Sequence, residues 1–268
     1  MRPTRLVARL GVASLLAIGL TGCESRRPPV VAEHELRVFA AASLADAFAE
    51  IGGAFRASRP DTKVLFNFGG SQNLRTQIEQ GATADVFASA NEAEMLTLVE
   101  GGFVDPASVR VFTSNTLILI VPEDNPAGLQ TPQDLARAGT KVVLAAEEVP
   151  AGKYSRELIQ NLGAVYGADF SARVMANVVS NEDNVRQVVA KVELGEADAG
   201  IVYASDAASA PALVIIPIPE GANVLAEYPI AQLVTADEAV AAGDFIDFVL
   251  SAEGQAIMAS WGFSQVSP

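Results

Sequence analysis

The stretch Leu36-Arg37-Val38-Phe39-Ala40-Ala41-Ala42-Ser43-Leu44 joins a short apolar run to a small, hydroxyl-bearing segment. Residues 36–40 have the length and apolar character of a buried strand. After Ser43, apolar side chains recur at helical spacing, at Leu44, Phe48, Ile51 and Phe55. The same change from a strand pattern to a helix pattern returns along the chain. Regular alternation of this kind predicts an α/β fold with largely parallel sheets.

Proline-bearing breaks near 122–126 and 210–219 bracket a central segment. We interpret this segment as a second lobe inserted into the first. The prediction is lobe 1 at 36–118 plus 216–268 and lobe 2 at 119–215, with a cleft between them. Among the individual elements, the pattern predicts helices over 92–100 and 132–139 and strands over 174–179, 199–203 and 231–235.

The first 22 residues have the pattern of a signal peptide. Three arginines precede an uncharged stretch over 10–20, which is too short to cross a bilayer as a helix. The stretch ends in Leu20-Thr21-Gly22-Cys23, which resembles a bacterial lipobox, where the cysteine becomes the lipidated first residue. The alternative is an ordinary signal peptide with a chance cysteine nearby. We favour lipidation because Cys23 is the only cysteine of the chain, and we interpret 23–35 as lipid anchor and tether.

The composition restricts the class of partner. The formal net charge is −14, which argues against nucleic acid, because phosphate contacts need clustered Lys and Arg. A small anion is not excluded, since backbone N–H groups at helix N-termini can hold anions without any cationic side chain.

Catalytic signatures are missing from the sequence. His34 is the sole histidine and falls in the predicted tether, so a Ser-His-Asp triad is not expected. The chain has neither a Cys/His cluster for zinc nor a P-loop. We therefore expect no enzyme, no catalytic residue and no cofactor. An exported hydrolase with carboxylate chemistry stays as an alternative.

Four strand-to-helix junctions resemble one another. They are Ala41-Ala42-Ser43, Gly69-Gly70-Ser71, Pro150-Ala151-Gly152 and Asn184-Val185. In parallel α/β sheets such junctions lie at the carboxyl ends of strands, where ligands bind, and each helix start offers free N–H groups. Taken singly, each serine is better explained as an N-cap, and Tyr203 as a core aromatic. Together, with two junctions in each lobe, they predict a small-anion site in the cleft.

Several segments resemble the molybdate-binding proteins of ABC importers across nearly the whole chain beyond the signal peptide. They are 39–44, 70–71, 77–78, 81–90, 149–154, 184–186, 195–203, 251–255 and 261–263. The resemblance implies a two-lobed periplasmic-binding-protein fold of type II and capture of a tetrahedral oxyanion by neutral donors.

The resemblance also implies a role for five residues. Ser43 and Ser71 would donate hydroxyl and backbone N–H bonds from lobe 1. Ala151 and Val185 would donate backbone N–H bonds from lobe 2, and Tyr203 would donate its phenol hydroxyl. These groups would contact the metal of the ion only through its oxygens.

The chain departs from the family pattern at Gln72, where a small residue is common, so Gln72 would alter the rim of the site or reach the ligand. A carboxylate from Glu182 or Asp183 is an open alternative for completing the site, although a buried carboxylate facing a dianion is costly. An organic acid, a further alternative, would call for an arginine facing its carboxylate. Arg75 and Arg186 are the only candidates near the marked helices, and both fall inside a helix turn rather than at its mouth.

The sequence thus predicts an extracytoplasmic lipoprotein, anchored to the membrane through Cys23 and monomeric. It would deliver molybdate, and also tungstate, to an ABC permease. The alternative within the same fold is another oxyanion such as sulfate or thiosulfate.

Overall fold

The computed structural model describes residues 34–219 and 221–265. The predicted signal peptide, Cys23 and residues 24–33 of the tether lie outside these ranges, whereas His34 and Glu35 already belong to the first strand. The strands are β1 (His34–Ala41), β2 (Thr62–Gly69), β3 (Val86–Ala88), β4 (Arg110–Val121), β5 (Val142–Ala145), β6 (Val178–Glu182), β7 (Ala199–Tyr203), β8 (Val214–Ile216) and β9 (Leu225–Gln232). The α-helices are α1 (Ala45–Ser58), α2 (Ser71–Glu79), α3 (Glu92–Glu100), α4 (Pro150–Tyr166), α5 (Phe170–Ala176), α6 (Val185–Glu193), α7 (Ala204–Ser209), α8 (Ala239–Leu250) and α9 (Ala252–Ser260).

The strands follow the order β2-β1-β3-β9-β4-β7-β5-β6, with β8 paired to β4. At one end, β1 is parallel to both β2 and β3. At the other, β5 is parallel to both β6 and β7. Strands β4 and β9 run antiparallel to their neighbours and join the two parallel parts. The predicted two-lobed α/β fold is confirmed.

The long strand β4 serves both lobes. Its residues 110–116 pair with β9, and its residues 117–120 pair with β7. We name the part built on β1, β2, β3 and β9 lobe 1, and the part built on β5 to β8 lobe 2. The predicted boundaries at 118/119 and 215/216 fall inside β4 and β8, and they stay predictions.

Phenylalanines fill the core of lobe 1. The ring of Phe48 lies 5.9 Å from Phe245 and 5.8 Å from Phe112, centroid to centroid, and Phe55 lies 5.4 Å from Phe245. Aromatic pairs at such distances contribute about 0.5–1.5 kcal/mol each beyond their burial. Phe48 and Phe55 are two of the apolar positions that predicted α1, and the packing explains why that pattern is there.

Three predicted elements are wrong in kind or position, two of them in lobe 2 and one in lobe 1. The predicted strand over 174–179 is the end of α5 followed by the start of β6, because Phe170 and Val174, one helical turn apart, are both buried. The predicted helix over 132–139 is only a 3-10 turn, Pro132–Ala136.

The last strand of lobe 1 runs over 225–232 instead of the predicted 231–235. It contains Pro229, which sequence rules place outside regular strands. Pro229 pairs with Val111 where the register of β4 shifts before Thr113. A bulge is one of the places where a strand accepts proline.

Within the described ranges, no helix combines the length and apolar character that crossing a membrane requires.

Candidate functional site

The four predicted junctions meet at one pocket between the lobes. The pocket is lined by Ala41, Ala42, Ser43, Gly69, Gly70, Ser71, Ala90, Val149, Pro150, Ala151, Asn184, Val185 and Tyr203. Its cavity volume is about 10 Å³, far less than the 300–1,000 Å³ or so typical of pockets for drug-sized ligands. None of its lining residues carries a charge. The site therefore suits a small ligand that is recognised by neutral groups.

Lobe 1 contributes Ser71, the first residue of α2. Its Oγ accepts the backbone N–H of Ala90 at 3.0 Å, which leaves the hydroxyl proton available for a further acceptor. The first N–H groups of an α-helix have no partner inside the helix. Ser71 can thus offer two donors to the pocket.

The second serine of lobe 1, Ser43, is placed differently from the prediction. It lies within a 3-10 turn, Ala42–Leu44, that leads into α1, so it does not open the α-helix itself. Its Oγ lies 3.0 Å from the hydroxyl of Tyr228. If Tyr228 donates in this pair, the Ser43 proton is free to point into the pocket.

Lobe 2 contributes two helix starts. Pro150 is the first residue of α4 and has no N–H, so Ala151 carries the first free donor of that helix. A side chain at the next position, Gly152, would collide with the Ala146 carbonyl. Because glycine has no side chain, the start of the helix can lie directly against the end of β5. Val185 begins α6.

Asn184 is the N-cap of α6, and its side chain accepts the N–H of Gln187 at 3.2 Å. This cap satisfies one of the orphan donors of the helix. The earlier N–H groups, including that of Val185, remain directed out of the helix end. The helix start is therefore both capped and open to an acceptor.

Tyr203 ends β7 and is only 1 % exposed. Its hydroxyl has no hydrogen-bond partner among the described residues. Burial raises the pKa of Tyr203 well above its ordinary value, with a smaller contribution from Tyr228, so the phenol keeps its proton at neutral pH. A buried donor without an acceptor is costly, and a ligand with acceptor oxygens would satisfy it.

Tyr228 on β9 was missed by the sequence reasoning. Its ring centroid lies 5.8 Å from that of Tyr203, and burial raises its pKa, so it too stays protonated. The signal in the sequence was the run Tyr228-Pro229-Ile230-Ala231, which is entirely buried but whose proline argues against a strand.

Other candidates lie outside the pocket lining. Glu182 pairs with Lys191 at 2.9 Å and accepts from Ser180 at 2.5 Å. Asp183 presents its backbone carbonyl to Gln72 Nε2 at 3.3 Å. Arg75 pairs with two glutamates of its own lobe, Glu79 and Glu94. Glu182 is therefore engaged elsewhere, and neither Asp183 nor Gln72 lines the pocket.

Known proteins share this architecture. The molybdate-binding protein ModA of Mycobacterium tuberculosis is 37% identical over 261 residues, which is 95% of this chain and 96% of the relative. Two solved structures match in fold. The periplasmic molybdate-binding protein of Azotobacter vinelandii has a TM-score of 0.73 and 23% identity, covering 87% of this chain and 99% of the other. The sulfate-binding protein SubI of Mycobacterium tuberculosis has a TM-score of 0.79 and 21% identity, covering 88% of each chain.

Residues 36–264 match the family of bacterial extracellular solute-binding proteins. Since the match spans both lobes, the chain belongs to this family of two-lobed binding proteins, and within it to the ModA group of its curated relative.

Proposed function

We propose that this protein captures molybdate, and with it the similar tungstate ion, outside the cytoplasm and delivers it to an ABC permease. One observation carries the proposal: Ser43, Ser71, Ala151, Val185 and Tyr203 converge from two lobes on a small pocket without a charged side chain. The molybdate-binding name of the Mycobacterium tuberculosis relative supports the choice of ion.

The chemistry of the donors fits a tetrahedral oxyanion. Each oxygen of such an ion is an acceptor only, and each of the five groups is a donor in reach of the pocket. Helix N-termini add a partial positive charge that favours an anion. The metal of the ion would be held only through its oxygens, so it is cargo and not a cofactor.

Selectivity follows from the same donors. Phosphate carries a proton near neutral pH, and the pocket lining offers no carboxylate to accept that proton. Sulfate is smaller than molybdate, so some donors would stay unpaired when the lobes close, which costs free energy. The fold likeness to a sulfate-binding protein does not decide the ion, and sulfate or thiosulfate is the alternative to be tested. A carboxylate glycosidase is disfavoured because the lining offers no acid and base pair.

The envelope assignment is part of the proposal. We infer a signal peptide over 1–22 and lipidation at Cys23, which would hold a monomeric protein at the membrane beside its permease. The extracellular character of the family supports this location. Metabolic labelling with a fatty acid should mark the protein, and Cys23→Ser should abolish the label.

Isothermal titration of the purified protein with molybdate, tungstate, sulfate and phosphate tests the ligand. We expect tight binding of the first two and at least about a hundredfold weaker binding of the others, the discrimination that unpaired buried donors can supply. Preferential binding of sulfate would move the function to the alternative. No heat with any of the four ions would refute the oxyanion assignment.

A further inference from the structure

Arg186 occupies the second position of α6, next to Val185 in the pocket lining, yet its side chain does not enter the pocket. Its guanidinium group lies beside the pocket, where the helix of lobe 2 approaches the 3-10 turn of lobe 1. The side chain is about one quarter exposed. From this position the Arg186 side chain can contact both lobes.

On the lobe 2 side, Arg186 contacts α7, which follows β7. Its Nη1 donates to Ser209 Oγ at 2.5 Å, and its Nε lies 3.3 Å from Asp206 Oδ1. Asp206 is fully buried and accepts the backbone N–H of Tyr203 at 3.0 Å through its other oxygen. Arg186 is thereby joined, through one carboxylate, to the residue that carries the pocket phenol.

On the lobe 1 side, Arg186 makes two further contacts. Its Nη2 donates to Asp46 Oδ2 at 2.6 Å, and its Nε donates to the Ala42 carbonyl at 3.3 Å. Asp46 belongs to α1, and Ala42 lines the pocket next to Ser43. One side chain therefore bonds both halves of the anion site.

A second contact crosses the cleft nearby. Gln72 of α2 donates to the Asp183 carbonyl of lobe 2, and Gly70 lies against the same carbonyl. The lobes are thus in direct polar contact at two places beside the pocket. Ion pairs on the protein surface are weak in water. The Arg186 cluster, which we define as Arg186 with Asp206, Ser209, Asp46 and Ala42, includes the fully buried carboxylate of Asp206, and buried charges are screened less.

We propose that Arg186 is a positioning residue that holds the two lobes closed over the anion pocket, anchored on α7 and bonded to Asp46 and Ala42 across the cleft. The proposal deepens the proposed function and rests on it for the identity of the ion. When the lobes separate, the bonds to Asp46 and Ala42 break, while the ion pair with Asp206 and the hydrogen bond to Ser209 remain. The arginine then favours the closed state without touching the ligand, and it slows release of the ion.

The test measures closure directly. The full chain with Cys23→Ser receives spin labels at Val165→Cys in lobe 2 and Val240→Cys in lobe 1, two exposed positions away from the pocket. Distances between the labels are recorded with and without molybdate, and the affinity for molybdate is measured by titration. Arg186→Met is compared with Arg75→Met, whose arginine is similarly exposed but bonds only within lobe 1.

We expect Arg186→Met to lengthen and broaden the distance distribution in both conditions and to weaken molybdate binding at least about tenfold, mainly through faster release. Arg75→Met should match the parent. If Arg186→Met does not fold, Asp46→Asn, on the exposed side of the pair, should lengthen the distances in the same direction.

Two results separate the proposals. Unchanged distances in the folded Arg186→Met protein, or in Asp46→Asn where Arg186→Met does not fold, would overturn the role of Arg186. A parent protein that does not bind molybdate, but whose Arg186→Met form still opens, would refute the ligand while supporting the closing role.

Discussion

At the scale of single residues, Tyr203 is the sharpest test of the site, because its hydroxyl has no partner among the described residues. Tyr203→Phe removes a donor and breaks no hydrogen bond of that hydroxyl within the protein. A hydrogen bond to a charged group contributes about 1.5–3 kcal/mol, so the Kd for molybdate should rise roughly tenfold to a hundredfold. The thermal midpoint without ligand should stay the same or rise slightly.

Two other variants give the contrast. Ser43→Ala should weaken binding and also lower stability, because it leaves the buried Tyr228 hydroxyl without the serine that it contacts at 3.0 Å. Tyr166→Phe, at the end of α4 and outside the pocket, should change neither quantity. Titration and thermal unfolding of the three proteins check these outcomes, and wild-type affinity in Tyr203→Phe would remove that residue from the site.

Asp206 provides a prediction that depends on pH. Burial raises its pKa from 3.8 to about 7, opposed by Arg186 and by the N–H of Tyr203, while Asp46 adds to the rise. The phenols of Tyr203 and Tyr228 also face it, and both stay neutral. Since the folded state binds the proton more tightly, the stabilising contribution of this group is complete below about pH 4 and is lost as the pH rises through about 7.

The comparison with Asp206→Asn isolates this effect. Asparagine cannot titrate but can still accept the Tyr203 N–H. The free energy of unfolding of the wild type, relative to the variant, should fall between about pH 4 and pH 7 by at most about 1.4 kcal/mol per pH unit. Urea unfolding across this range measures it, and parallel curves for the two proteins would contradict the raised pKa.

At the scale of elements, α4 contains two glycines with opposite roles. A Cβ at Gly152 would meet the carbonyl of Ala145 at 2.5 Å, whereas a Cβ at Gly163 would meet nothing within 4 Å. Gly152→Ala must therefore move the helix start away from β5, and we expect a loss of about 1–3 kcal/mol from this overpacking. Gly163→Ala should stabilise the same helix by up to about 1 kcal/mol.

Denaturant unfolding of the two variants checks this prediction, each against the wild type. Because Ala151 sits at the displaced helix start, Gly152→Ala should also weaken anion binding, whereas Gly163→Ala should not. If both substitutions changed the free energy of unfolding equally, the close approach of α4 to β5 would not contribute to stability.

The elements also show what the sequence could predict. The strand β7 and the helix α3 were predicted with correct limits, because the apolar run of β7 and the glycine stop after α3 are local signals. The helix starts at Ser71, Ala151 and Val185 were placed to within one or two residues for the same reason. The position of the pocket could be predicted because these starts line it, and the role of its residues in binding stays a prediction.

Other features depend on contacts that are distant in sequence. The run over 174–179 is rich in valine and methionine, and only the burial of Val174 beside Phe170 makes its first part a helix. The strand around Pro229 exists because β4 has a bulge opposite it. Tyr228 and the Arg186 cluster were missed because each connects residues more than 100 positions apart.

At the scale of the whole molecule, closure of the cleft brings two backbones into contact at Gly70. A Cβ at this position would lie 2.5 Å from the Asp183 carbonyl of the other lobe and 2.6 Å from the Gln72 amide. The Gln72 side chain can move, but the backbone carbonyl can retreat only if the lobes separate. Gly70→Ala should therefore hold the cleft partly open while leaving each lobe folded.

We expect the affinity for molybdate to fall at least about tenfold, because closing the lobes around the ion must overcome the steric clash at position 70. The thermal stability without ligand should change little. Gly53→Ala, where a Cβ meets nothing within 4 Å, is the matched control and should bind like the wild type. Small-angle scattering with saturating molybdate should show Gly70→Ala more extended than the control. A variant that closes fully and binds normally would mean that the Gly70 contact does not limit closure.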